Sequence, residues 1–209
     1  MPKDIKIGNV NISQNSPPVI IAEIGINHNG SLKAAINLAD LAIKSGAQII
    51  KHQTHVVDDE MSFEAKKITP GNSNKSIFKI IEECSLNEED EFKLMTYVKS
   101  KKRVFISSPF SRKAVDRLVK FKVPAFKIGS GECNNYPLVE YIAKKNKPII
   151  MSTGMNSIST IKPSVKIFKK YKIPHVLLHC TNIYPTPAKL VKLDAMLELK
   201  KNFKNTFYG

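Results

Sequence analysis

Six apolar runs in this chain each finish on polar or charged residues, and the types on offer suit an anion. They are Val19-Ile-Ile-Ala-Glu23, Ala47-Gln-Ile-Ile-Lys51, Val104-Phe-Ile-Ser107-Ser108, Ala125-Phe-Lys127-Ile-Gly-Ser130, Pro148-Ile-Ile-Met-Ser152 and His175-Val-Leu-Leu-His179-Cys-Thr-Asn182. Lys51 and Lys127 supply cations, the serines and Asn182 supply hydrogen bonds, and Glu23 supplies a carboxylate. Together they fit a substrate such as a phosphate ester. Each lysine also has a plainer reading as a structural ion-pair partner, and a third as a Schiff-base nucleophile.

The elements that must carry these residues follow from the same runs. Segments apolar on both faces, without alternation, read as fully buried parallel strands. Between them lie helical stretches. Ser31 is placed to cap a helix with Leu32, Ile36, Ala39 and Ile43 on its apolar face, and Gly46 ends it. Ser85 and Glu88 have the spacing of a capping box for a helix to about Lys101. Further helices are expected over 112–121, 138–145, 159–171 and 194–202, and residues 205–209 read as the opening of a seventh strand. The fold class implied is α/β, a (β/α)8 TIM barrel incomplete at the C-terminus, with about six and a half βα units over residues 17–209. Residues 1–16 read as a β-hairpin turning at Gly8-Asn9. In such a barrel the strand ends form one rim, where active sites sit. The long connection over 54–84, with Thr69-Pro-Gly-Asn72, has the length of a functional loop.

Composition narrows the partners. The chain of 209 residues is 42% hydrophobic and 24% charged, ordinary values for one soluble domain. Its net charge of +15 comes almost wholly from scattered lysines, the arginines being Arg103, Arg112 and Arg117. Without an Arg-rich tract or aromatic platform this reads as a solvated surface, not a nucleic-acid groove. No apolar stretch approaches the ~20 residues that span a bilayer, and the N-terminus lacks a signal core. Cys84, Cys133 and Cys180 are odd in number and widely spaced, which fits a reducing cytoplasm and argues against a disulfide scaffold or zinc site.

Seven segments in order resemble the bacterial sialic acid synthase (N-acetylneuraminate synthase) family. They are Glu23-Ile-Gly-Ile-Asn-His-Asn-Gly30, Lys51-His-Gln-Thr-His55, Pro70-Gly-Asn72, Ser108-Pro-Phe-Ser111, Lys127-Ile-Gly-Ser-Gly-Glu-Cys-Asn-Asn-Tyr-Pro137, Ser152-Thr-Gly-Met-Asn-Ser157 and His179-Cys-Thr-Asn-Ile-Tyr-Pro-Thr-Pro187. The resemblance implies an enzyme that condenses phosphoenolpyruvate with N-acetylmannosamine, or with the acceptor for legionaminic or pseudaminic acid. It implies that Glu23, Lys51 and Lys127 are catalytic, and that Ser130, Ser152 and Asn182 bind phosphoenolpyruvate. Gln53, Asn72 and Tyr184 would face the sugar. Glu132 would lie near a divalent metal, Mn2+ or Mg2+, whose histidine ligands are expected beyond residue 209. The family acts as a homodimer with an antifreeze-like domain, so the chain is expected to be a fragment, inactive alone. His28, His52, His55 and His179 are expected to be hydrogen-bonded supporting groups, not metal ligands.

Overall fold

The computed structural model describes residues 2–71 and 73–209, so Asn72 lies outside the described residues. The chain forms two compact units, one over 19–123 and the other combining 2–18 with 124–209. The expected amino-terminal hairpin is present: β1 (Ile5–Ile7) pairs antiparallel with β2 (Val10–Ile12). Gly8 opens its two-residue turn at φ +60, the left-handed conformation that a glycine there adopts without steric cost. Ile5 and Ile7 bury one face of the ribbon.

In the unit over 19–123, β3 (Ile21–Gly25), β4 (Ile49–Thr54) and β5 (Val104–Pro109) lie parallel in that order. All six residues of β5 are buried, as expected of a strand covered on both faces. The strand expected to end at Lys51 runs on to Thr54, which puts Lys51 in mid-strand with His52, Gln53 and Thr54 continuing the ladder. Between β3 and β4 runs α1 (Leu32–Lys44), where the Ser31 hydroxyl accepts from the Ala34 amide as expected. The long connection after β4 holds α2 (Val57–Glu60), a 3-10 turn (Phe63–Lys67) and α3 (Ile77–Cys84). Next comes α4 (Glu88–Ser100), whose capping box does not form. Asn87 Oδ1 takes the Asp90 amide at 2.9 Å, while the Ser85 hydroxyl turns back to the Ile81 carbonyl at 2.5 Å and closes α3. Asparagine caps as well as serine, and it stands at the position where the chain turns. α5 (Arg112–Lys120) completes the unit.

In the other unit, β6 (Phe126–Ile128), β7 (Ile149–Ser152), β8 (His175–Leu178) and β9 (Phe207–Tyr208) are parallel neighbours, alternating with α6 (Tyr136–Ala143), α7 (Ile158–Lys170) and α8 (Ala195–Asn202). β9 is the seventh barrel strand expected from the sequence. The element order is that of an incomplete (β/α)8 barrel, three parallel strands in one unit and four in the other among the described residues. After α1 the chain turns through Gly46 at φ +95. After α4, α5, α6 and α7 it turns instead through Lys102, Lys122, Asn146 and Lys172, all left-handed at φ +54 to +57. Among the described residues, no helix is long and apolar enough to cross a membrane.

Candidate active site

Glu23 and Lys51 face each other in register across β3 and β4, and Lys51 Nζ donates to Glu23 Oε2 at 2.7 Å. The lysine side chain is 5% exposed and the carboxylate 54%. A cation fixed on a strand is therefore neutralised by a carboxylate that still reaches solvent and can meet a ligand. The plain reading of Lys51 as an ion-pair partner is correct, and the partner is the other residue singled out from the sequence. Gln53 follows on the same strand face, with its Oε1 3.1 Å from His55 Nε2. Ser108, one of the polar residues that finish the apolar runs, lies on β5. Its hydroxyl is buried without a hydrogen-bond partner, the state of a group reserved for a ligand or water.

Behind this pair runs a buried network that the sequence did not disclose. The Gly30 amide donates to His28 Nδ1 at 3.2 Å, which places the ring proton on Nε2. That nitrogen stands 3.0 Å from His52 Nε2, so His52 carries its proton on Nδ1, 3.1 Å from Glu91 Oε1. Arg117 Nη1 holds the second Glu91 oxygen at 3.2 Å, and Thr54, itself 2.7 Å from the Ser107 hydroxyl, donates to the first. Glu91 is fully buried, and its charge is satisfied on both oxygens. Burial, and next the neighbouring His52, lower the His28 pKa from 6.5 to about 4, in agreement with the neutral tautomer.

The second unit contains Lys127, Ser130, Ser152 and Asn182, and of these it joins Lys127 to Ser152. Lys127 is 4% exposed, and its Nζ donates to Ser152 Oγ at 2.6 Å and to the Ile128 carbonyl at 3.0 Å. Ser130 and Ser152 are buried, and Asn156 Nδ2 clamps the Ser130 carbonyl at 2.8 Å. Asn182 Oδ1 is buried without a donor, packed so closely on Gly154 that a Cβ there would fall 1.8 Å from it. His179 departs from expectation: its Nε2 is buried with no partner, whereas His28, His52 and His55 are all hydrogen-bonded. Tyr184 is 87% exposed, so no pocket encloses it. A cavity of about 510 Å3 in this unit is lined by Thr153, Gly154, Asn156, His179 and Glu198, among others, and not by Lys127 or Ser152.

Glu132 is half-buried and its Oε2 accepts from Asn135 Nδ2 at 2.7 Å. Among the described residues no three His, Cys, Asp or Glu side chains are grouped to hold a metal ion.

Residues 38–209 match the NeuB family. The chain belongs to that family. It is 40% identical over 200 residues to an uncharacterized protein of Methanocaldococcus jannaschii, covering 95% of this chain and 56% of that one. It is 36% identical over 193 residues to the N,N'-diacetyllegionaminic acid synthase of Campylobacter jejuni, covering 89% of this chain and 58% of that enzyme. The crystal structure of N-acetylneuraminic acid (sialic acid) synthetase from Leptospira borgpetersenii, in complex with citrate, superimposes with a TM-score of 0.88 at 30% identity. That superposition covers 100% of this NeuB-family chain and 70% of the synthetase chain. The chain thus spans little more than half the length of the curated relatives it matches.

Proposed function

We propose that this chain carries the phosphoenolpyruvate-binding part of a synthase that joins phosphoenolpyruvate to an N-acetylated amino sugar, N-acetylmannosamine in the reading developed from the motifs. C3 of phosphoenolpyruvate forms a bond to the aldehyde carbon of the open-chain sugar, and the aldehyde oxygen takes up a proton. Water adds at C2, and phosphate leaves. The observation that carries this reading is Lys127, a buried ammonium held on a strand by Ser152 Oγ at 2.6 Å. A cation set this rigidly, with Ser130 and Asn182 in the same unit, suits a dianion or a carboxylate whose position must be exact for carbon–carbon bond formation. Glu23, half in solvent and already anchored by Lys51, is suited to relay protons during sugar ring opening or water addition. A lysine engaged as an ion-pair donor has no lone pair to attack a carbonyl, which disfavours Lys51 as a Schiff-base nucleophile. The named relatives act in legionaminic and sialic acid formation, so the acceptor is sought among acylated amino sugars.

The test measures binding of phosphoenolpyruvate to this chain by calorimetric titration, alone and with N-acetylmannosamine or the acceptors for legionaminic and pseudaminic acid. Binding that is weakened in Lys127→Met is the expected result. No binding of phosphoenolpyruvate refutes the reading, and a lysine trapped by borohydride in the presence of substrate replaces it with aldolase chemistry.

A further inference from the structure

Helix α8 points a leucine away from the core. Leu199 is 4% exposed, and Phe203, one turn further on, is buried to the same degree. Leu197, two residues before Leu199 and so about 200° round the helix, is 65% exposed. It has apolar company. Leu193, just ahead of the helix, is 66% exposed, and Leu190 and Val191 are exposed as well.

The charges on this face stand without partners. Asp194 already has helical backbone angles, φ −59 and ψ −23, and its carbonyl accepts from the Leu197 amide at 2.9 Å, so the helical repeat reaches back to it. Asp194, Leu197 and Lys201 therefore recur at i, i+3 and i+7 on one stripe, away from Leu199 and Phe203. Exposed carboxylates on other helices are paired: Asp40 with Lys44 at 2.8 Å, Glu89 with Lys93 at 2.8 Å and Glu140 with Lys170 at 2.9 Å. Asp194 and Lys201 have no ion pair among the described residues. They also lie beyond the i, i+3 and i, i+4 spacings at which side chains of one helix meet.

Turned end for end, a stripe reading acid, leucine, base becomes base, leucine, acid. Two copies of α8 laid antiparallel about a two-fold axis beside Leu197 bring Asp194 of each opposite Lys201 of the other, with the two leucines closed between them. We propose that this face is an interface between two copies of this chain, α8 packed antiparallel on α8. The contact is isologous, each copy offering the same patch. Leucine burial supplies the attraction, and the two charge pairs fix orientation and register. The barrel portion makes this contact by itself, with no part taken by an antifreeze-like domain and no dependence on the functional reading above. A patch of one short helix and its approach belongs to the small, transient class, below about 1,200 Å2 of buried surface, so association grows with concentration.

Sedimentation equilibrium of the chain over a range of concentrations tests the contact, with circular dichroism of every variant as the check on folding. The wild type should pass from 23.4 kDa towards twice that mass and no further. Leu197→Glu should weaken association by about tenfold or more. Asp194→Lys and Lys201→Glu each set like charges opposite one another, and each should weaken it roughly fivefold. The chain carrying both exchanges restores both pairs and should return to within about twofold of the wild type. A mass fixed at 23.4 kDa at every concentration overturns the proposal, and so does growth beyond the dimer, the mark of open aggregation. A dimer indifferent to Leu197→Glu also overturns it, because the copies then meet through another face. A double exchange no stronger than either single one overturns the antiparallel pairing of Asp194 with Lys201.

Discussion

Gly154→Ala is the sharpest probe of how Asn182 is held. A Cβ at Gly154 would stand 1.8 Å from Asn182 Oδ1, 3.0 Å from its Cγ and 2.7 Å from the carbonyl oxygen of Cys180. The first two contacts fall on a side chain that can swing away. The third falls on backbone just past β8, which moves only by disturbing the strand end. The methyl group should expel the Asn182 side chain and strain residues 180–182, an overpacking cost of roughly 1–3 kcal/mol. With a urea m-value of about 2 kcal/mol/M, the unfolding midpoint should drop by about 0.5–1.5 M. Gly131→Ala is the internal control: its Cβ would meet nothing within 4 Å, and lost freedom in the unfolded chain should leave it neutral or slightly stabilising. Urea unfolding followed by circular dichroism, with calorimetric titration of phosphoenolpyruvate, measures both consequences. If Gly154→Ala unfolds with the control and binds phosphoenolpyruvate like the wild type, then Asn182 is not wedged against Gly154 and takes no part in that site.

Lys127→Met should weaken phosphoenolpyruvate binding by about 10- to 150-fold, the equivalent of a charge-assisted bond of roughly 1.5–3 kcal/mol, with sugar binding little changed. An unaltered calorimetric titration removes Lys127 from the site. Glu91→Ala leaves the His52 N–H unpaired in the core and takes from the half-buried Arg117 the nearer of its two carboxylates, and should destabilise by roughly 1–3 kcal/mol, whereas Glu91→Gln, which keeps an acceptor, should cost less; urea midpoints distinguish them. His28 links folding to pH. Its pKa is about 4 folded against 6.5 unfolded, so the unfolded chain binds the proton first as pH falls. Stability is whole above pH 6.5 and declines towards pH 4 by up to about 3 kcal/mol, and His28→Asn should flatten that slope in urea titrations between the two values.

Strand positions were legible because burial on both faces leaves uninterrupted apolar runs, and β5 is the clearest case. Their ends were less so: the run ending at Lys51 hid the strand residues His52 and Thr54, which are buried with Glu91 satisfying them from another element. Nothing local marks that arrangement. Glu91 sits in the acidic run 88–91, which reads as a solvated first turn, and its partners lie 39 and 26 residues away in sequence. The Ser85–Glu88 spacing misled because Asn87, a competing cap, was two residues closer to the turn. Glu23 and Lys51 were found as polar breaks in apolar runs, but their mutual pairing follows from the β3–β4 register, which spacing alone does not fix. The Gln53–His55 step was a missed signal: a two-residue interval on a strand puts both side chains on one face.

The left-handed residues after α4, α5, α6 and α7 leave room to harden this protein against heat. A side chain in that conformation costs roughly 1 kcal/mol through its Cβ, and glycine removes the conflict while giving part of the gain back through its freer unfolded state. Lys102→Gly, Lys122→Gly, Asn146→Gly and Lys172→Gly together should add about 2 kcal/mol, several degrees in melting temperature. These turns feed the strands from their amino ends, opposite to the rim where barrel enzymes do their chemistry, so catalysis should not suffer. Three of the four replacements each delete one positive charge, taking +15 to +12. A more heat-tolerant protein would thus also be a less polycationic one, with weaker non-specific adhesion to nucleic acids and anionic surfaces during purification.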